Sequence, residues 1–214
     1  GGRSTFWAVA VIGVLAIAAV LRLVPNLRHT LSGSALGEFR VLRSKQVLLA
    51  LAVSVLASTS MFTVFTYITP ILRDVTGVSP QNVSGVLLLC GVGLTIGNLL
   101  GGRLADWRLM PSLIGIFSVL AVVLAAFHFT SAWLWPSVAT VVLWGRVSFS
   151  AGTPLQARGI SQAGDAPSMA STLNIGGFNL GNAIGAWLGG AVITAGGSLQ
   201  SIPLVAACVT LCAL

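Results

Sequence analysis

Long apolar runs, each close to the length of a membrane span, constrain this chain more than any other feature. Seven can be drawn: segments A (5–24), B (46–69), C (83–102), D (112–130), E (133–155), F (171–194) and G (199 onward). A helix of about 20 apolar residues crosses the hydrocarbon of a bilayer, where only helices and closed barrels satisfy their own backbone polar groups. The sequence therefore predicts an all-α, polytopic membrane helical bundle.

Composition excludes several classes of protein. Hydrophobic residues make up 56% of the chain and charged residues 7%, whereas about 25% of the residues in an ordinary soluble domain are charged. The net charge of +7 lies in short connections rather than on one soluble face, so we predict no nucleic-acid partner. The acids and cysteines form no carboxylate pair and no metal-ligand spacing, so we predict no enzyme, metal site or cofactor.

Basic residues alternate between connections. The A/B, C/D and E/F connections carry eight of them: Arg22, Arg28, Arg40, Arg43, Lys45, Arg103, Arg108 and Arg158. The alternate connections carry only Arg73, with Arg3 at the leading end. Because basic loops stay in the cytoplasm, the loops 25–45, 103–111 and 156–170 are predicted to be cytoplasmic.

Glycine recurs at every fourth position in two segments: Gly93, Gly97 and Gly101 in C, and Gly177, Gly181, Gly185 and Gly189 in F. Steps of four keep these positions on one face of a helix. A face of glycines lets another membrane helix approach backbone to backbone. Both tracks are therefore predicted to be helix interfaces.

Segment F also carries three amides, Asn174 on the glycine track and Asn179 and Asn182 beside it. An unpaired polar group in hydrocarbon costs several kcal/mol, so F faces protein or a watery cavity. Two readings stay open: tight packing in a bundle, or a moving helix that lines a substrate path.

Polarity follows an ordered pattern after segment A: polar, polar, apolar, and then the same again. This pattern indicates two similar three-helix units, B-C-D and E-F-G, as in the inverted repeats of transporters. Five polar residues on B, E and F are candidates for a substrate cavity: Thr63, Tyr67, Arg146, Asn179 and Asn182. For Arg146, snorkelling to the cytoplasmic headgroups is an equal alternative.

The chain resembles the C-terminal half of a major facilitator superfamily transporter, in which a long basic loop precedes six helices. The C/D junction, GGRLADWRLM, is similar to the loop signature of that family through Gly102, Arg103, Asp106 and Arg108, although Trp107 and Leu109 depart from it. The aspartate there can pair with Arg103 or Arg108 and latch one conformation. An ordinary exposed turn is the alternative.

Two further stretches, PLQ at 154–156 and FNLGNAIGAWLGG at 178–190, resemble the drug and sugar-efflux branch, the arabinose efflux permease group of bacteria. The resemblance implies that 1–24 is the last helix of an N-terminal bundle and 25–45 the inter-bundle loop. It assigns 46–214 to the C-terminal six-helix bundle with its last helix truncated. Within 25–45, a short surface helix at 36–42 and a solvated linker are alternatives.

The implied function is export of drugs or sugars by alternating access across a bacterial inner membrane, with proton antiport. The implied partners are lipid, a small-molecule substrate and the missing N-terminal bundle, against which C and F pack. Segments B, C, E and F contain no acid or histidine, so the proton carrier is expected in the missing half. The alternatives are a facilitator without proton coupling, or a non-transporting structural or partner protein if the chain is complete.

Overall fold

A computed structural model describes residues 2–23, 44–162 and 167–214. Nearly all of them are helical: α1 (Gly2–Leu23), α2 (Lys45–Pro70), α3 (Pro80–Thr130), α4 (Leu134–Ser150), α5 (Gly152–Ser161), α6 (Pro167–Thr194) and α7 (Ile202–Cys212). The predicted all-α fold is confirmed. The predicted surface helix at 36–42 lies outside the described residues, as do most of the loop 25–45 and the middle of the loop 156–170.

The chain divides into two compact units, 1–34 and 35–214. In the first, α1 is an apolar helix whose large hydrophobic side chains are exposed. In the second, two helical runs are long and apolar enough to cross a membrane, Lys45–Val75 and Pro80–Thr130. The stretches Val9–Leu23 and Leu199–Cys212 are shorter apolar helices.

The predicted segments C and D form one helical run, α3, of 51 residues. A straight helix of that length would measure about 76 Å, more than twice the hydrocarbon thickness of about 30 Å. Arg108 breaks it, with φ −154° and ψ 93°, and Ser112 Oγ donates to the Leu104 carbonyl across the break at 2.9 Å. The expected loop 103–111 is thus largely helical, because one extended residue suffices to turn the chain.

Segment E is also divided. It forms α4 and then α5, with Ala151 between them, and the chain continues as helix to Ser161 rather than ending at 155. The helical extension matters because it carries Gln156 and Arg158 to the end of the bundle that holds Arg108.

The opposite end is closed by hydrogen bonds between loops. A π-helical turn, Ile71–Val75, follows α2. Gly77 lies two residues beyond it and has a φ of 75°, which few residues with a side chain adopt. Thr76 Oγ1 donates to the Ser131 carbonyl at 2.7 Å. The connection after α2 and the connection before α4 therefore lie together, at the end predicted to be outside.

Several polar residues of α2 are used inside the bundle. Ser60 Oγ donates to the Ala206 carbonyl at 2.9 Å and lies 2.6 Å from Thr210 Oγ1, which joins α2 to α7. The apolar core around this contact includes the fully buried Leu124, Phe127 and Trp144. The hydroxyls of α2 therefore stabilise contacts between helices, in addition to any role in lining a cavity.

Candidate functional site

Two extended helix contacts frame the candidate site, and glycine forms both. In the first, the α3–α4 seam, Gly93, Gly97 and Gly101 lie directly against the backbone of α4. A Cβ on Gly93 would stand 2.6 Å from the Val142 carbonyl oxygen, and one on Gly101 would stand 2.5 Å from that of Ser150. Only a hydrogen fits at these places, so the two backbones touch.

The second contact, the α2–α6 seam, has the same construction. A Cβ on Gly181 or on Gly185 would stand 2.5 Å from the carbonyl oxygens of Val55 and Thr59, respectively. Gly189 lies against the ring of Tyr67, whereas Gly177 has ordinary contacts, the nearest being Val55 Cγ2 at 3.4 Å.

Both glycine tracks thus make close helix contacts, but their partners differ from those that the resemblance implied. The expectation placed the glycine faces of C and F against the missing half. The structure instead places α4 and α2, helices of the same bundle, on the glycines at 93, 97, 101, 181, 185 and 189. The sequence period identifies a face of a helix and not the neighbour that covers it, so the glycine faces meet helices of the same bundle. That C and F pack against the missing half through other faces stays a prediction.

Three of the five predicted cavity residues lie in the α2–α6 seam. Thr63 is fully buried, donates to the Thr59 carbonyl at 2.7 Å and abuts Gly185. Tyr67 donates from its hydroxyl to the Ala186 carbonyl at 3.2 Å. Asn182 Oδ1 lies 2.5 Å from Ser58 Oγ. In this conformation Thr63 is therefore a seam residue and does not face a cavity, since the other helix covers it completely.

Asn174 belongs to a chain of side-chain hydrogen bonds, the amide chain, that joins three helices. It is fully buried, and its Oδ1 accepts from Ser54 Oγ of α2 at 2.6 Å. Its Nδ2 donates to Gln156 Oε1 of α5 at 2.5 Å, and Gln156 Nε2 lies 2.6 Å from Ser171 Oγ. This chain uses the glutamine of PLQ to hold α5 against α2 and α6.

The two remaining cavity candidates are exposed. Asn179 donates to the Ile175 carbonyl of its own helix at 3.1 Å, and the Arg146 side chain projects from α4, while its backbone abuts Gly97. Neither residue lines the cavity described next. Their predicted roles toward a substrate stay predictions.

The loop-signature residues lie at the break in α3. Arg103, Asp106 and Arg108 are exposed, and Gly102 has open space beside its Cα. The Arg108 guanidinium lies 5.9 Å from the centre of the Trp107 ring. A latch through Asp106 stays a prediction.

A cavity of about 390 Å³ lies between the two seams, with walls from α2, both halves of α3, α4, α5 and α6. Large apolar side chains dominate it: Met61, Phe62, Phe117, Phe149 and Phe178. Among the described residues that line it, none carries an ionisable group. The cavity suits an uncharged, largely apolar molecule.

Three polar side chains interrupt this apolar lining: Ser58, Asn98 and Ser148. Ser148 Oγ is buried and has no hydrogen-bond partner among the described residues. Buried hydroxyls are nearly always hydrogen-bonded, so this group is available to a ligand or to water. A neighbouring cleft of about 410 Å³ shares Asn98 and Phe149 with the cavity and adds Thr95 and Thr153.

A sequence model of the Major Facilitator Superfamily matches residues 1–174. The chain belongs to this superfamily. Membership of this superfamily, together with relatives named as transport proteins, points to transport rather than enzyme catalysis, as predicted. The finer assignment to a C-terminal half, with boundaries at 24 and 45, stays a prediction.

Three relatives illustrate the similarity of this superfamily member. "Inner membrane transport protein YdhP" of Escherichia coli (strain K12) is 39% identical over 209 residues, which are 98% of this chain and 54% of that protein. AraJ of the same strain is 28% identical over 214 residues, 99% of this chain and 54% of that protein. "Chloramphenicol resistance protein" of Streptomyces lividans is 31% identical over 189 residues, 86% of this chain and 48% of that protein. The chain spans about half the length of these relatives.

Sequence reasoning did not select Asn98, Ser148 or the phenylalanines as site residues of this superfamily member. A signal existed, because Asn98 and Ser148 are among the few polar residues of segments C and E. Asn98 follows the seam residue Gly97, and Ser148 lies two residues before Ser150, which packs on Gly101. Only the pairing of the helices shows that these two side chains meet in one cavity.

Proposed function

We propose that the full-length protein exports small, uncharged and largely apolar organic molecules by alternating access, and that the cavity between the two seams binds them. The buried hydroxyl of Ser148, which has no hydrogen-bond partner in the part of the chain that the structure describes, lies in an aromatic cavity and carries this proposal. A volume of about 390 Å³ falls in the range of about 300–1,000 Å³ usual for small-molecule sites. Drugs therefore fit better than sugars, whose many hydroxyls would lose hydrogen bonds against phenylalanine.

The seams support the rocking that alternating access requires. Where glycine lets backbones touch, few side chains interlock, so a helix pair can shift with little repacking. Each seam borders the cavity: Ser148 and Phe149 lie on α4 between two residues of the α3–α4 seam, and Phe178 belongs to α6 of the other. A small shift along either seam would open or narrow the cavity.

Proton antiport is the finer part of the proposal, and an uncoupled facilitator is its rival. Asp74 and Asp106, the acids among the described residues, lie at the π-helical turn and beside the break in α3, and neither lines the cavity. Proton coupling usually needs an acid or histidine within the membrane. We therefore propose that the proton carrier lies in the part of the protein outside this chain.

The experiment measures export by cells that produce the full-length protein, with labelled chloramphenicol, which the name of one relative mentions, and labelled arabinose as probes. We expect lower chloramphenicol accumulation and unchanged arabinose. Ser148→Leu should abolish export by filling the cavity, and Ser148→Ala should weaken it about fivefold, since one neutral hydrogen bond is worth about 1 kcal/mol.

Ser118 provides the matched control, because it is exposed on α3 and lines neither the cavity nor the neighbouring cleft. Ser118→Leu and Ser118→Ala should export like the wild type. Export of arabinose alone, or a Ser148→Leu variant with full activity, would contradict the proposed site. In proteoliposomes an imposed proton gradient should accelerate transport; equal rates with and without it would favour the facilitator.

We also propose that the exposed Arg146 selects among substrates from outside this cavity. In the same assay, Arg146→Ala should change the relative export of neutral and anionic probes. An unchanged ratio would favour the alternative that its side chain snorkels to the headgroups.

A further inference from the structure

A second, separate groove of about 430 Å³ opens on the outer side of the bundle, at the break in α3. One wall comes from the two halves of α3, through Leu104, Ile116 and Val119, and the other from Val147 of α4. Its floor contains Gly115, where an added Cβ would meet nothing within 4 Å. The groove is open, and its mostly apolar lining suits a hydrocarbon chain that lies along the surface.

The surface around this groove is apolar and exposed. Val119 is 49% exposed and Val122, one turn further along α3, is 68% exposed. A large exposed apolar surface marks an interaction site in a soluble protein, and in an integral membrane transporter such a surface is where lipid chains lie. This apolar surface therefore suits the acyl chain of a lipid.

The mouth of the groove is cationic and aromatic. Trp107, 74% exposed, and Arg108 both line it, and the Arg108 guanidinium lies 5.9 Å from the Trp107 ring. Tryptophan prefers the interface between hydrocarbon and headgroups, and arginine matches phosphate geometry through its planar fork of donors. Arg158 lies close by against Met110, and its buried Nε has no hydrogen-bond partner among the described residues.

An apolar groove with a cationic and aromatic mouth suits one class of ligand. By the positive-inside rule this mouth faces the cytoplasmic leaflet, where anionic lipids give the surface a negative potential. Basic pockets between membrane helices on that side bind anionic headgroups. We propose that the groove is a binding site for an anionic glycerophospholipid, with one acyl chain over Gly115 and the phosphate at Arg108.

The test is native mass spectrometry of the delipidated full-length transporter, titrated with phosphatidylglycerol or with phosphatidylcholine of the same acyl chains. The wild type should bind its first phosphatidylglycerol about fivefold more tightly than phosphatidylcholine, which is the factor that one arginine contributes near an anionic surface. Arg108→Gln should remove this preference. Gly115→Leu should weaken the binding of both lipids, because the new side chain occupies the part of the groove where the acyl chain would lie.

Two variants control for charge and bulk. Arg73→Gln removes a positive charge at the opposite end of the bundle, and Gly91→Leu adds the same bulk at another glycine with open space around it. Both should bind lipid like the wild type. The unfolding temperature of Gly115→Leu should not fall below that of the wild type, since an added Cβ meets none of the described residues within 4 Å and leucine favours a helix over glycine.

Three results would overturn the proposal. The wild type could bind the two lipids equally, or the control variants could weaken binding as much as the groove variants do. The full-length protein could also bind lipid independently of Arg108 and Gly115, which would indicate that another segment of the protein fills the groove.

Free phosphate should not displace the bound lipid, because the acyl chain supplies part of the affinity.

Discussion

On the side of Gly185 that faces α2 there is room for a hydrogen atom and nothing larger, so a substitution at this position should affect stability. Gly185→Ala would place a Cβ 2.5 Å from the Thr59 carbonyl oxygen and 2.8 Å from the Thr63 nitrogen, both backbone atoms that cannot rotate away. We expect a lower free energy of unfolding by about 1–3 kcal/mol, the usual cost of overpacking. Thermal unfolding of the purified full-length protein would measure it.

Gly91→Ala is the matched control, since nothing lies within 4 Å of a Cβ there. It should leave the unfolding temperature unchanged or raise it slightly, because alanine favours a helix over glycine by about 1 kcal/mol. Equal unfolding temperatures for the Gly185→Ala and Gly91→Ala variants would mean that the seam is looser than the structure indicates.

Single residues also show what the sequence could not supply. The spacing of Gly181 and Gly185 predicted a helix interface, and the structure shows one. The same reasoning expected Thr63 on a cavity wall, because a hydroxyl in a membrane helix needs a partner. Thr63 finds that partner in its own helix, at the Thr59 carbonyl, so polarity alone could not separate a seam position from a cavity position.

The amide chain is what joins α2, α5 and α6 through side chains. Asn174→Ala would leave Ser54 Oγ without its acceptor and Gln156 Oε1 without its donor. A buried polar group left unpaired costs about 1–3 kcal/mol, so the free energy of unfolding should fall by at least that amount. Unfolding by heat, followed by intrinsic fluorescence, would report it.

Asn179→Ala tests the same substitution on the same helix at an exposed position, where the side chain donates to the Ile175 carbonyl one turn earlier in α6. It should have little effect. A double-mutant cycle of Ser54→Ala with Asn174→Ala should show coupling of at least about 0.5 kcal/mol, as groups in one network do. Additive effects would show that the hydrogen bond between α2 and α6 contributes nothing measurable.

The helical character of the predicted segments followed from hydropathy, since the described part of each is almost entirely helical. The boundaries that failed have a physical explanation. C and D merged into α3 because the turn at Arg108 uses one extended residue, and E divided because the chain leaves the helix at Ala151, between α4 and α5. A hydropathy pattern shows where enough apolar residues follow one another to cross the membrane, whereas the ends of these helices depend on backbone angles at single residues.

For the bundle as a whole, the distribution of charge predicts an orientation in the membrane. Ser79, before α3, and Ser161, at the end of α5, are both exposed and lie at opposite ends of the bundle. Arg103, Arg108 and Arg158 share the end of Ser161, so the positive-inside rule places that end in the cytoplasm. Ser79 should then face the outside.

Single cysteines at these two serines, in a full-length protein whose natural cysteines are replaced, would test this orientation. A membrane-impermeant maleimide added to intact cells should label Ser79→Cys and not Ser161→Cys, and permeabilised cells should show both labels. The reversed pattern would invert the transporter and move the mouth of the lipid groove to the outer leaflet, where the headgroup argument for Arg108 no longer holds. Labelling of both sites in intact cells would show that the bundle does not separate them across the membrane. The expected pattern would leave the cavity, the seams and the groove in the orientation that export and anionic-lipid binding both require.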